Sequence, residues 1–296
     1  MELRVLRYFL VVAREQSITK AANVLHITQP TLSRQLRELE EELGKPLLIR
    51  GNKNISLTDE GMLFRKRAEE IVELSDKTVH EIQHTEDNIT GDIYIGSGET
   101  EGLRNVIHII KEYQKQYPNV CFHINSGDKA DLLDKLDKGL LDFGIFLEPV
   151  DKVKYNHLKL PAKDTLGILA RKDSPLAKKK EITKEDLVHV PLIISRQLQE
   201  DSSLLRFLDT PLEKLNIVAT YNLVYNASLM VDEKVGYAIT LDKLVNTTGD
   251  SNLCFIPLSP KMTVDMYLMW KKFQIFSKAS DTFLEKIEKE LQKEND

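Results

Sequence analysis

Cysteine is nearly absent from this chain of 296 residues: Cys121 and Cys254 are the only two. Two isolated thiols do not make a disulfide framework. Cys121 falls in a predicted buried strand and Cys254 in an apolar stretch, so both read as inert core residues. No apolar run approaches the ~18 residues of a membrane-spanning helix. The first residues have neither the apolar core nor the small-residue cleavage site of a secretion signal. A cytoplasmic protein with no membrane partner is therefore expected. Positive charge is also lacking overall. The net charge is −5, which read alone argues against a nucleic-acid partner. What is left is an ordinary globular composition, 42% hydrophobic, at a length that holds two or three domains.

The charge is unevenly spread. Residues 1–58 hold nine Lys/Arg against six Asp/Glu, a net +3 that leaves −8 for the rest. Four of those six acids are Glu38, Glu40, Glu41 and Glu42, gathered at one end, so the remaining surface of the segment is more basic than +3 suggests. Leu6, Phe9, Leu10 and Ala13 recur at helical spacing and mark the inner face of a first helix. Ser17 is placed to cap a second helix, in which Ala21, Ala22 and Leu25 form a face of small residues. A turn at Ile27-Thr28 leads into a third helix. Pro30 stands in its first turn, Leu32, Leu36, Leu39 and Leu43 form its buried stripe, and Gly44 stops it. Its other face shows Gln29, Thr31, Ser33, Arg34 and Arg37. A helix that lies in a DNA major groove must offer such short polar and basic side chains over an apolar inner stripe. Arg50-Gly51-Asn52-Lys53-Asn54 reads as a hairpin tip carrying two cations toward an adjacent groove. The bland alternative is a three-helix bundle with solvated arginines.

The pattern through Phe9, Ala13, Ser17, Ala21-Ala22, Leu25, Gln29-Pro30, Ser33, Leu39-Glu40, Leu43-Gly44, Leu47, Arg50, Leu57-Thr58 and Gly61 resembles the N-terminal domain of the LysR-type transcriptional regulators. One departure is Leu48, where the family usually has Phe, at a position that reads as core. The resemblance implies a multidomain chain. An all-α winged helix–turn–helix DNA-binding domain (1–58) is followed by a long linker helix (59–90) and a two-lobed α/β effector domain (91–296) like a periplasmic binding protein. Lobe I would comprise residues 91–161 and 266–296, and lobe II residues 162–265. The DNA-contact set is then Ser17, Thr19, Gln29, Pro30, Thr31, Ser33, Arg34, Arg37, Arg50 and Lys53. The implied partners are double-stranded promoter DNA, a small-molecule effector, a second copy of the chain in a homodimer or dimer of dimers, and RNA polymerase. No catalytic residue, metal or cofactor is expected.

Residues 58–88 contain no proline and one glycine, Gly61. Thr58 is placed to cap a helix whose first turn carries Asp59 and Glu60. Phe64, Ala68, Ile71, Ser75, Thr78 and Ile82 follow a 4-3-4-3 spacing, which predicts a coiled-coil seam. The family resemblance implies that this helix pairs two subunits; the alternative is a single helix packed on its own domain. From residue 91 strands and helices alternate. Strands are expected at 92–96, 120–124, 143–146, 165–170, 192–194, 217–220, 237–240 and 263–270, with a final helix from about Lys278. The first three strands call for a parallel sheet. Asp142-Phe143-Gly144-Ile145 and Ser174-Pro175-Leu176 match the family locally. Glu233-Lys234 and Leu241-Asp242 depart from its pattern.

In open α/β sheets, ligands bind beyond the carboxyl ends of the strands. That selects Ser97, Gly98, Thr100, Ser126, Gly127 and Phe146 in the first lobe and Ser195, Arg196 and Asn222 in the second. Arg196 would favour a carboxylate or phosphate, which a guanidinium can grip bidentately, whereas Glu99, Glu101 and Glu148 weigh against an anion. Three other motifs compete. His80-Glu81-Ile82-Gln83-His84 has the H-E-x-x-H spacing of zinc metalloproteases, but Ile82 on the predicted seam turns both histidines outward. Gly96-Ser97-Gly98-Glu99-Thr100-Glu101-Gly102 approaches a dinucleotide fingerprint with its third glycine one residue late. Ser17-Ile18-Thr19-Lys20 fits S-x-x-K without a partner motif.

Overall fold

The computed structural model describes residues 1–51, 54–83, 89–147, 153–196, 202–209, 211 and 214–293. The chain divides into two compact units, residues 1–83 and 84–296.

The first unit comprises helices α1 (Leu3–Glu15), α2 (Ile18–Val24) and α3 (Gln29–Leu43), strands β1 (Leu48–Arg50) and β2 (Ile55–Leu57), and helix α4 (Asp59–Gln83). Side-chain caps set the helix starts. Ser17 Oγ accepts the Lys20 N–H at 3.3 Å, and Thr28 Oγ1 accepts the Thr31 N–H at 3.4 Å. Gly44, at φ +67°, ends α3 in the left-handed region. Ala21 and Ala22 are buried between the helices, and Leu32, Leu36 and Leu39 face them from α3. Leu48 is buried, as its core position requires. Two expectations are corrected. Val5 and Val12, not Leu10 and Ala13, complete the deepest face of α1 with Leu6 and Phe9. Leu43 is 39% exposed, because α3 has run past the end of the core by its last turn.

Thr58 fixes the start of α4. Its hydroxyl accepts the Gly61 N–H at 2.9 Å and donates to the Pro46 carbonyl at 2.8 Å. The predicted seam then divides. Phe64 meets Phe9 edge-on at 5.0 Å between ring centres, and Ala68 is fully buried. Arg7 of α1 grips the Asp76 carboxylate through both terminal nitrogens. Phe64 and Ala68 therefore serve their own unit and are not free to pair subunits. Ile71 and Ile82, 42% and 68% exposed, stay outside together with Leu63 and Leu74.

The second unit is built on a nine-stranded sheet. Strands β3 (Gly91–Ser97), β4 (Val120–Ser126) and β5 (Phe143–Leu147) are parallel, in the order β4-β3-β5, and are joined by α5 (Leu103–Gln116) and α6 (Lys129–Asp137). Asp142 locks this set: its carboxylate accepts the Tyr94 N–H at 2.8 Å, and its own N–H donates to the Tyr94 carbonyl. The 17-residue strand β6 (Tyr155–Arg171) follows. Next come α7 (Lys184–Leu187), β7 (Leu192–Ser195), α8 (Ser202–Leu208), β8 (Ile217–Tyr221), α9 (Val224–Asp232), β9 (Tyr237–Leu241) and β10 (Leu253–Pro257). The chain returns through β11 (Thr263–Lys271) and ends in α10 (Lys278–Lys293). The full order is β4-β3-β5-β11-β6-β9-β7-β8, with β10 also on β6. β6 pairs with β11 over much of its length and with β9 over Leu166–Leu169, so one strand belongs to both halves. Phe283 of α10 packs on Tyr113 and Phe122 and closes the first core.

Two further readings change. Leu253–Pro257 forms a strand that its short, non-alternating apolar run did not reveal. Cys121 is exposed, not buried, because β4 is the free edge of the sheet. Cys254 is half-buried and its thiol lies 3.5 Å from the Ala170 carbonyl; burial pushes its pKa up. Among the described residues no helix is long and apolar enough to cross a membrane.

Candidate functional site

In the first unit the polar face of α3 stands clear of its core. Gln29, Pro30, Thr31, Arg34 and Arg37 are exposed, and Ser33 is half-buried. Thr19 is exposed on α2, while the Ser17 hydroxyl is already engaged as a cap. The Arg34 guanidinium is 71% exposed, 3.7 Å from the Glu38 carboxylate one turn on. A long, solvated pair of that kind contributes little and exchanges readily for another anion. Arg50 closes β1, but its side chain and the whole of Lys53 fall outside the described residues. One residue has a role that charge counting hid. Glu40 Oε1 accepts the N–H groups of Leu47 and Leu48 at 2.8 and 3.0 Å, which ties the start of the wing to α3.

The second unit holds a cavity of about 360 Å³ where the carboxyl ends of the strands of its two halves converge. Gly98, Thr100, Phe146, Ser195, Arg196 and Asn222 line it. Ser97, Ser126 and Gly127 do not, which corrects the sequence reading. Ser97 is buried and its hydroxyl donates to the Gly98 carbonyl at 2.7 Å. Ser126 ends β4 exposed to solvent, and Gly127 donates its N–H to the Ser97 carbonyl at 3.3 Å, so the chain beyond β4 reaches the cavity only from Asp128 on. Glu148 falls outside the described residues.

The cavity also gathers residues that strand ends alone did not select, above all Glu99, Asp128, Tyr221 and Val224. Glu99 leaves the end of β3 and accepts the N–H of Val224, the first residue of α9, from the opposite side of the cleft. Leu223 precedes that helix and offers no cap of its own. Asp128 Oδ1 caps α6 by accepting the Asp131 N–H at 3.0 Å. Two helix N-termini at the cleft, natural seats for an anion, are thus held by the chain's own carboxylates. Thr100 is engaged as well: its hydroxyl accepts the Gly102 N–H at 3.1 Å and donates to the Asp164 carboxylate. Glu101 pairs with Arg104 on the surface, which keeps its pKa low. Burial pushes the Tyr221 phenol up to about 12, and its hydroxyl donates to the Ile239 carbonyl at 2.7 Å. Of the competing zinc motif, His80 and Glu81 lie in α4, but their side chains and all of His84 are outside the described residues.

Known proteins share both units. Residues 3–62 match the bacterial regulatory helix-turn-helix protein family of lysR type, and residues 86–292 match the LysR substrate binding domain. The sequence is similar to the HTH-type transcriptional regulator YvbU of Bacillus subtilis, 28% identical over 294 residues that cover 98% of this chain and 99% of the relative. It is 32% identical to YybE of Bacillus subtilis over 219 residues, 73% of each chain. Full-length CbnR in complex with its target DNA has the same fold, at a TM-score of 0.76 and 19% identity over 98% of this chain and 99% of that one. Full-length BenM is 27% identical, with a TM-score of 0.52 over 100% of this chain and 98% of the other.

The Asp164 environment gives a pH signature. Burial raises its pKa, against the opposing bond from Thr100. The folded state therefore holds this proton more tightly than the unfolded chain does. The stability it contributes is fully present below the ordinary carboxylate pKa and is lost as pH rises through the raised value. In thermal melts of the full chain, the wild type is expected to lose stability across that window relative to Asp164→Asn. Parallel pH profiles for the two proteins would exclude it.

Proposed function

From the premise that this chain belongs to the LysR family of transcriptional regulators, with a helix–turn–helix DNA-binding domain and an effector-binding domain, we propose how its residues divide the work. Gln29, Thr31, Ser33, Arg34 and Arg37 of α3 enter the major groove of promoter DNA. Pro30 sets the entry of that helix, and Ser17, the cap of α2, and Thr19 within it meet the flanking backbone, with Arg50 and Lys53 of the wing. The observation that supports this is the exposed polar face of α3 opposite Leu32, Leu36 and Leu39, with two exposed arginines three residues apart.

Residues 59–90 link this DNA-binding segment, 1–58, to the effector domain, 91–296, and pair two copies of the chain. The pairing surface is the apolar strip that α4 leaves outside: Leu63 with Leu74 and Ile71 with Ile82. Each pair is eleven residues apart, about three helical turns, so the four lie along one side of the helix. A two-fold DNA site favours such a paired reader.

The effector is a small polar metabolite bound in the cleft, with Arg196 as its cationic anchor. An anionic group is the chemistry that α9 already accepts from Glu99, and a ligand carboxylate can take that place beside Arg196. Its arrival changes the link between the halves of the domain and, through the paired subunits, the hold on the promoter.

Four measurements test these roles. Arg34→Ala should weaken binding to the chain's own promoter by about 1–3 kcal/mol if it reads a base edge; unchanged affinity removes it from the contact set. Replacing Ile71 and Leu74 together by Asp should leave a folded monomer in sedimentation, and a dimer that survives places the pairing surface elsewhere. In a thermal-shift screen of carboxylate metabolites, a ligand at 100 times its Kd should stabilise the fold by about 2.7 kcal/mol. Arg196→Ala and Thr100→Val should blunt the transcriptional response to that ligand. If both variants respond at the wild-type concentration, the cleft assignment fails.

A further inference from the structure

We propose that the free edge of the effector-domain sheet carries a zinc site built from Asp92, Cys121 and His123. Asp92 lies near the start of β3, and Cys121 and His123 lie on the edge strand β4. The parallel register sets Asp92 opposite Cys121 and Tyr94 opposite His123. Strand alternation puts Cys121 and His123 on one face of β4. A carboxylate oxygen, the thiol sulfur and an imidazole nitrogen consequently all lie within 4.8 Å of one another. His123 Nε2 is 3.1 Å from Asp92 Oδ1. Bonds of about 2.0–2.3 Å to a tetrahedral ion set its ligand atoms roughly 3.3–3.8 Å apart. The donors, within 4.8 Å of one another, are therefore at most about 1–1.5 Å further apart than ligation requires.

The chemistry of the donors selects the ion. One thiolate, one imidazole and one carboxylate form a mixed sulfur, nitrogen and oxygen set that suits Zn²⁺, whereas Mg²⁺ and Ca²⁺ require oxygen ligands. Three protein ligands leave a fourth position for water, which the exposure of Cys121 makes accessible. Tyr94 stacks on the His123 ring at 4.6 Å with 14° between the planes, so the imidazole is already oriented. On binding, Cys121 loses its proton to solvent and the ion takes its place. Among the described residues this is the one group of three or more such ligands close enough to share an ion. It is separate from the effector cleft. Asp92 and Gly98 are six residues apart along β3 and its continuation, about 20 Å at strand rise. No spacing motif announces the site, because Asp92 and Cys121 are distant in sequence and only the β3–β4 pairing joins them.

The test uses the full chain after dialysis against a chelator, titrated with ZnCl₂ and separately with CoCl₂. The wild type should bind one Zn²⁺ per chain, and bound Co²⁺ should show a thiolate-to-metal absorption band in the near ultraviolet. Cys121→Ser should abolish that band, and His123→Ala and Asp92→Asn should each weaken Zn²⁺ binding by about tenfold or more. A variant with His80 and His84 both replaced by Ala should bind as the wild type does. Cys121 is exposed and Asp92 and His123 are half-buried, and circular dichroism of each variant reads the fold independently. Zn²⁺ binding that survives all three ligand substitutions, absence of the cobalt band, or loss of binding in the His80/His84 variant would each overturn the site.

Discussion

One strand, β6, belongs to both halves of the effector domain, and that continuity governs what the rest of the domain can do. A 17-residue strand paired with β11 and then with β9 makes a single hydrogen-bonded sheet of what would otherwise be two. Cores form on both faces at each end, and the strands turn their carboxyl ends toward the gap between them. Backbone ladders resist sliding and shear. Relative movement of the halves must therefore come from bending of β6 and β11 near the register shift at Asp265/Met266. Polar side chains that cross the gap then become the adjustable part of the structure.

The helix α4 meets a different constraint, two demands on one surface. Its first turns are needed to complete the helix–turn–helix core, where Phe64 reaches Phe9 and Ala68 is sealed from solvent. The Arg7–Asp76 pair extends that attachment about two turns beyond Ala68. Only the residues turned away from α1 remain for a second copy, so the pairing strip we propose is displaced around the helix from the simple heptad. A seam drawn from sequence spacing alone assumes that nothing else competes for its residues.

That distinction separates what was legible in the sequence from what was not. The helix–turn–helix could be read because its signals are local: Ser17 and Thr58 cap within three residues, Pro30 and Gly44 bracket α3, and a leucine repeat marks its inner face. The strands of the first lobe were legible for the same reason, and so were the cleft residues just beyond strand ends, such as Thr100 after β3 and Arg196 after β7. Strand order is not written locally. Strand ends alone select Ser126 and Gly127, whereas the chain beyond β4 reaches the cleft only at Asp128, and only strand order shows that Cys121 stands on a free edge. Nor could spacing show that Glu99 meets Val224, 125 residues later, or that Glu40 serves the wing and not an acidic surface.

The Glu99–Val224 contact also bears on the acidity of this domain. A carboxylate at a helix N-terminus contributes about 0.3–1 kcal/mol when exposed and up to ~2 kcal/mol when partly buried. A ligand of micromolar affinity brings about 8.2 kcal/mol. The contact is strong enough to bias the halves toward each other and far too weak to keep out an effector that offers the same chemistry. Displacing Glu99 would place a second negative charge in the cleft beside the ligand, which favours its exit toward solvent and a change in the separation of the two halves. The acidic side chains of the cleft are then compatible with the anionic effector proposed above: they would hold its seats while it is absent, and leaving those seats would be the structural change that its binding produces.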